Sequence, residues 1–171
     1  QHTSAAVGSH VYVHGGYTGS GSSDELWQFS VSGLAWTLLQ VSGTKPSARY
    51  SHTMSAVGAF LFVFGGDNGF SAKSYEYSDE GYYLVPWQFS TENGTWAQLD
   101  NSAVDGLFPE HTRPFSRSKH ATATSGTDIY IHGGCAAGDD KKPCNIHNSY
   151  QECWIFSTVT RDWSLMDPKS V

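Results

Sequence analysis

The chain has 171 residues, 14% aromatic and 15% charged side chains, and a formal net charge of −6 at pH 7. That balance suits a packed β protein of ordinary domain size and excludes a coiled coil or a disordered chain. The longest basic run, Lys141-Lys142, is too short to hold a nucleic-acid backbone, and no apolar stretch approaches the ~20 residues of a membrane-spanning helix.

The first element runs from His2 to Val7 and is rich in Ala, Ser and Thr. Small side chains there point to a crowded place, such as the axis of a radial assembly. Gly8 follows and supplies the positive φ of a tight hairpin. Val11-Tyr12-Val13 is unbroken apolar sequence and predicts a strand buried on both faces. Gly15-Gly16 ends it, where a neighbouring aromatic ring is expected to approach bare backbone. Trp27 and Phe29 then alternate onto one face, with Gln28 on the other. A turn leads to Trp36, with Leu38 beyond it.

The pattern restarts at His52 with a small-residue run to Val57, then Gly58, Leu61-Phe62-Val63 and Gly65-Gly66. A long connection follows from Asp67 to Val85. It carries Phe70, Tyr75, Tyr77, Tyr82 and Tyr83 among Glu76, Asp79 and Glu80. Tyrosine combines broad contact area with a polar tip, which suits an interface, although such rings also fold back over a loop's own base. Trp87 and Phe89 come next. Glu92-Asn93-Gly94 predicts a hairpin turn, and Asn93-Gly94-Thr95 is also an N-glycosylation sequon. Trp96 follows, with Leu99 in the place of Leu38. The crossover from Asp100 to Ser116 holds Leu107, Phe108 and Pro109, read as a lid over the inner edge of its unit or a small hydrophobic contact.

The third copy reads His120 to Ser125, Gly126, Ile129-Tyr130-Ile131 and Gly133-Gly134. Its long connection spans Cys135 to Cys153 and contains Lys141, Lys142, Cys144 and His147, so all three cysteines lie in it. A Cys135–Cys153 bridge would flank the base of one hairpin, and Cys135–Cys144 is the rival pairing. Zinc held by the cysteines and His147 would need a spacing unlike the established patterns, so no metal is expected. Trp154/Phe156 and Trp163, with Leu165, close the unit.

The three tryptophan pairs are each nine residues apart, and each Gly-Gly lies thirteen residues after a histidine. Fixed spacing repeated three times means one supersecondary unit copied along the chain, and such units stack. Four short antiparallel strands per unit predict propeller blades. The Gly-Gly, the spaced aromatic pair and the Arg-x-x-His lead-in (Arg49 to His52, Arg117 to His120) resemble the Kelch repeat family. The long insertions after the second and third Gly-Gly depart from the family pattern.

The resemblance implies an all-β, Kelch-type β-propeller of three four-stranded antiparallel blades, at 1–41, 49–100 and 117–166. Propellers close with about four to eight blades, so three make a partial ring. The chain is expected to be part of a longer propeller, or a half-ring completed by a second chain. The outer flanks of the first and third blades should each expose an apolar face carrying Trp, Phe and Leu. Strand alternation puts the long, unlike connections together on one end, the expected binding face.

The expected function is a protein–protein interaction scaffold, not an enzyme, and without a cofactor. The recurring His2, His52, His120, His14 and His132 are read as scaffold residues. The alternatives are a fragment of a propeller enzyme, such as a copper oxidase resembling galactose oxidase or a carbohydrate-acting protein, and a structural subunit of a large assembly. Clustered cysteines and the sequon point toward an extracellular or lumenal setting.

Overall fold

The computed structural model describes residues 1–41, 43–67, 85–99, 113–136 and 149–166. All regular structure among these is strand. The first blade holds β1 (Thr3–Val7), β2 (His10–His14), β3 (Leu26–Ser30) and β4 (Ala35–Leu38). The second holds β5 (Thr53–Val57), β6 (Phe60–Phe64), β7 (Trp87–Ser90) and β8 (Thr95–Gln98). After β9 (Arg117–Ser118), the third holds β10 (Ala121–Ser125) and β11 (Asp128–His132). It is completed, past β12 (Cys135–Ala136), by β13 (Cys153–Ser157) and β14 (Trp163–Met166). Each blade is an antiparallel meander, in the orders β1-β2-β3-β4, β5-β6-β7-β8 and β10-β11-β13-β14. β9 and β12 pair as a separate two-residue ribbon.

The hairpin glycines behave as their positions predict. Gly8, Gly58 and Gly126 sit at φ 57°, 57° and 59°, where an L side chain is strained. The first strands β1, β5 and β10 touch their neighbours in order, so the small Ala, Ser and Thr side chains lie where the blades converge. Ser55 donates its hydroxyl to Thr122 across that convergence at 3.0 Å.

Every blade has two unlike faces, because strand alternation separates the Trp/Phe row from its neighbours. In the second blade Leu61, Val63, Trp87 and Phe89 face the first, packing on Tyr12 and Leu26. Phe62 and Phe64, on its other face, pack on Ile129, Ile131, Trp154 and Phe156 of the third blade. The strand read as buried on both faces is so in the second blade, where Leu61, Phe62 and Val63 are all buried. Among the described residues, the first and third blades each leave one face without a packed neighbouring blade. Trp36 is 55% exposed on the first blade, while its equivalents Trp96 and Trp163 pack against the two cores.

The open face of the third blade differs from expectation. Its Trp and Phe point inward to the second blade, and the outer face carries Tyr130, His132, Cys153, Ile155 and Met166. The two outer flanks are therefore opposite faces of one unit, and only the first blade presents the Trp/Phe row. A second difference lies beyond the fourth strand. Leu39 and Leu99 are the matched pair, each three residues after its tryptophan, and their amides donate to Leu26 and Pro86. Leu38 and Leu165 are instead cross-strand partners of Trp27 and Trp154.

This asymmetry gives unequal costs at matched positions. Leu61→Ala, in the core between the first two blades, should lower unfolding free energy by about 2–5 kcal/mol. Val11→Ala, at the same position on the open flank, should cost no more than about 1 kcal/mol. Urea denaturation of both variants measures the difference, and equal losses would mean that the flank is not open.

Candidate site at the blade joints and the Gly-Gly end

The blades are locked together by the Arg-x-x-His lead-in of one blade seated on the Gly-Gly of the blade before it. Gly16 donates its amide to the Arg49 carbonyl at 2.8 Å, and Gly66 donates to the Arg117 carbonyl at 3.0 Å. A Cβ on Gly15 would lie 2.6 Å from the Arg49 carbonyl oxygen and 2.7 Å from Cε1 of His52. At Gly65 the neighbours are the Arg117 carbonyl and Cε1 of His120, the latter again at 2.7 Å. Both glycines also hold positive φ, 65° and 62°. The ring expected near bare backbone is thus the imidazole of the following blade, and no residue larger than glycine fits beneath it.

The arginine side chain turns the other way, into its own blade. Arg49 is fully buried and its Nη1 donates to the Gly65 carbonyl at 3.0 Å. Arg117 does the same to Gly133 at 3.0 Å, and its Nη2 bonds Glu152 at 2.6 Å. The Tyr150 ring covers its guanidinium at 4.3 Å, a cation–π contact. One motif therefore binds two consecutive Gly-Gly turns, by backbone and imidazole on one side and by guanidinium on the other. The residue just before each histidine completes the step. Ser51 and Lys119 adopt φ 55° and 59°, and their amides donate to Gln1 and Ser51.

The histidines of the joints are buried and uncharged. His52 Nε2 lies 2.8 Å from Thr3 Oγ1 and 3.2 Å from His14 Nδ1. His120 Nε2 lies 2.7 Å from Thr53 Oγ1. A nitrogen-to-nitrogen bond requires at least one neutral ring, since two imidazolium ions offer only donors. Burial, followed by the Arg49 charge, holds His14 down at about 3. Burial, then His14 and Arg49, holds His52 at about 2. Burial and Arg117 hold His120 at about 4. His2 and His132 recur in sequence but are exposed.

The strand 2–3 connections and the crossovers come together at this end. Tyr50 pairs with Asp67, Cys135 with Ser149, and β9 with β12. Tyr17, 57% exposed, packs edge-on against Tyr50, and Phe115, 58% exposed, stacks on Tyr150. Sequence reading missed these rings. Tyr17 follows its Gly-Gly directly and Tyr50 follows its lead-in arginine, and those positions were the available signal. The residues proposed for recognition, Phe70, Tyr75, Glu76, Tyr77, Asp79, Tyr82, Tyr83, Lys141, Lys142 and His147, lie outside the described residues, as do Leu107, Phe108 and Pro109.

Cys135 is disulfide-bonded and Cys153 carries a free thiol, so the hairpin-base pairing is not formed. The reason is geometric. β11 ends at His132, opposite Cys153, while Cys135 has passed the Gly-Gly turn and pairs with Ser118 in the small ribbon. Cys144 lies outside the described residues. Asn93 is exposed in the turn between β7 and β8. No cluster of three or more metal-ligating side chains occurs among the described residues, and no described helix could cross a membrane.

Three meander blades joined by arginine–histidine locks on paired glycines define a repeat propeller of the Kelch type. The chain belongs to the Kelch repeat family, since residues 1–170 match the KLHDC2/KLHL20/DRC7 Kelch-repeats domain. It is similar to a Rab9 effector protein with kelch motifs from Danio rerio, 40% identical over 101 residues, covering 58% of this chain and 24% of that protein. It is 27% identical to human host cell factor 2 over 154 residues, 86% of this chain and 19% of the relative. It is also 27% identical to the Rho GTPase-activating protein gacHH of Dictyostelium discoideum over 164 residues, 95% of this chain and 10% of that protein. The chain thus spans a tenth to a quarter of the length of these three relatives. By name, such relatives are mostly binding or regulatory proteins.

Two outcomes test the lock. Gly65→Val should destabilise by about 1–3 kcal/mol through overpacking and strain, read as a lowered melting temperature; an unchanged melt would remove the close-packing role. Acid should also weaken the fold. In the unfolded chain each histidine binds a proton near pH 6.5, whereas in the fold it does not until well below that. The stability from keeping them neutral is complete above pH 6.5. Between pH 6.5 and about 4 it falls, because the unfolded chain takes up protons that the folded histidines do not. Denaturant midpoints across that window measure it, and His120→Gln should flatten the slope by one proton.

Proposed function

We propose that the chain is a protein-binding scaffold that recognises its partner with the connections at the Gly-Gly end of the blades. The observation that supports this most is the contrast between the two ends. The turns at Gly8, Gly58 and Gly126 are alike, down to their φ angles. The connections at the Gly-Gly end differ from blade to blade in length and content, from Tyr17–Glu25 to Asp67–Val85 to Cys135–Cys153. Variable loops on a rigid frame are where recognition concentrates. Exposed Tyr17 and Phe115 at the same end add aromatic contact area of the kind interfaces use. A relative described as a Rab9 effector fits such a role, and host cell factor 2 and gacHH are also named as regulators or factors. The open flanks of the first and third blades take further propeller blades or a second chain, and that contact is distinct from loop recognition.

A structural-subunit role draws on those flanks alone. The oxidase reading would ask for a cysteine cross-linked to tyrosine. Cys135 is engaged in a disulfide and does not offer its sulfur for that.

Partner capture from extracts tests the loop assignment. Changing Tyr75, Tyr77 and Tyr82 together to Ala should abolish capture with the melting temperature held within a few degrees. Capture retained by that variant would remove the loop from the binding surface.

A further inference from the structure

We infer that Asn93 is an acceptor for an N-linked oligosaccharide, carried at the end of the second blade opposite the Gly-Gly turns. Asn93-Gly94-Thr95 is a sequon, and residues 92–95 are all exposed. The turn joins β7 to β8, the outer strands of the blade. It stands beside the hairpin at Gly58, since the Thr91 amide and hydroxyl both donate to the Ala59 carbonyl, at 3.0 and 2.8 Å. A Cβ on Gly94 would meet no atom within 4 Å, so the space beside the acceptor is open. An oligosaccharide on Asn93 has that space to occupy, at the far end of the blade from the arginine–histidine locks.

The hairpin itself does not call for these side chains. Asn-Gly is a strong turn signal, yet the same turn is built twice more from other residues. Gly33, Asn93 and Thr160 share one position, and each donates its amide to the hydroxyl of Ser30, Ser90 or Ser157, at 3.1, 3.2 and 3.4 Å. Leu34, Gly94 and Arg161 follow, with φ 49°, 68° and 66°. Ala35, Thr95 and Asp162 come next, directly before the second tryptophan of each blade. The turn's bonds run through the backbone and the serine, which leaves the Asn93 amide and the Thr95 hydroxyl to another use. Those are the two groups the transfer needs, the hydroxyl for recognition of the sequon and the amide nitrogen as the attacking atom. That nitrogen bonds to the anomeric carbon of an oligosaccharide carried on a polyprenyl diphosphate. The anomeric C–O bond breaks, the diphosphate leaves with the electron pair, and the amide gives up one proton. A second feature agrees. Cys135 is disulfide-bonded, and disulfides persist in the oxidising compartments where this transfer takes place.

The test sends the 171-residue chain, behind a cleavable secretory leader, into the lumen of a eukaryotic cell and reads its intact mass. An amidase that cleaves N-linked glycans should remove the mass of one oligosaccharide and turn the Asn93 side chain into a carboxylate. Asn93→Gln and Thr95→Ala should each abolish the shift, whereas Thr95→Ser should keep it, because serine also supplies the hydroxyl. None of these changes should disturb the fold, since glycine or threonine stands at the first position in the other blades, and alanine or aspartate at the second. Melting temperatures of the deglycosylated chain and the variants should agree within a few degrees. Translation into isolated microsomes reads the modification without export, so a chain held back in the cell still gives a result. A wild-type chain that stays bare in both settings, or a shift that survives Thr95→Ala, would overturn the site. Partner capture by the loops is read separately and does not depend on either result.

Discussion

The architecture depends on a glycine backbone held open at positive φ so that the next blade's carbonyl and imidazole can reach it. The approach is too close for a Cβ, and the φ is unfavourable for one, so two separate constraints select glycine at Gly15 and Gly65. The carbonyl and ring that arrive are themselves fixed, because Arg49 and Arg117 are buried with their guanidinium groups on the next Gly-Gly carbonyl. Burying a guanidinium is costly unless it is bonded, and here each one donates to a Gly-Gly carbonyl, with Glu152 as a second partner for Arg117. Each arginine therefore couples the joint behind it to the turn ahead of it.

The apolar cores between blades would hold the sheets together without specifying how far one rotates on the next. Hydrophobic burial is not directional. The hydrogen bonds of the lock are, and they sit at one end of the joint, away from most of the buried area. The pairing of Thr3, His14 and His52 sets the angle at the first joint, and Thr53 with His120 sets it at the second. Because contacts run only between neighbours, a partial array of blades keeps its internal geometry, in the manner of stacked repeats. The two ends of such an array are different surfaces: a Trp/Phe row at one, and a Gly-Gly turn with Tyr130 and His132 at the other.

The blade count, the strand pattern and the hairpin turns were legible in the sequence because they follow from short-range rules: alternation, glycine at positive φ, and repeated spacing. The tight approach at Gly-Gly was legible too, as a demand for bare backbone. What filled it was not, since His52 lies 37 residues beyond Gly15 and belongs to the next unit. A repeat alignment places equivalent residues on top of each other, while the lock joins non-equivalent ones. The same limit hid the asymmetry of the flanks, because alternation assigns residues to two faces without saying which neighbour each face meets. Sequence position puts Leu99 in the place of Leu38, whereas the matching backbone bonds to Leu26 and Pro86 identify Leu39 as its counterpart. The disulfide partner of Cys135 could not be chosen from spacing, because the Gly-Gly turn redirects the chain just before it.

The position of the lock also bears on where new function can enter the frame. Insertions after the second and third Gly-Gly begin at Asp67 and Cys135, within two residues of the glycines the lock holds. Asp67 pairs with Tyr50 and Cys135 with Ser118, so each insertion leaves from backbone already tied to the crossover. Lengthening a loop whose ends are fixed costs little, since closure entropy grows only with the logarithm of length. The joint is thus insulated from whatever the loop becomes. The opposite end offers less freedom, because its turns between first and second strands are two-residue hairpins whose register fixes the inner strands. The frame diverges most readily at the Gly-Gly end, which is the one where Tyr17 and Phe115 already stand exposed.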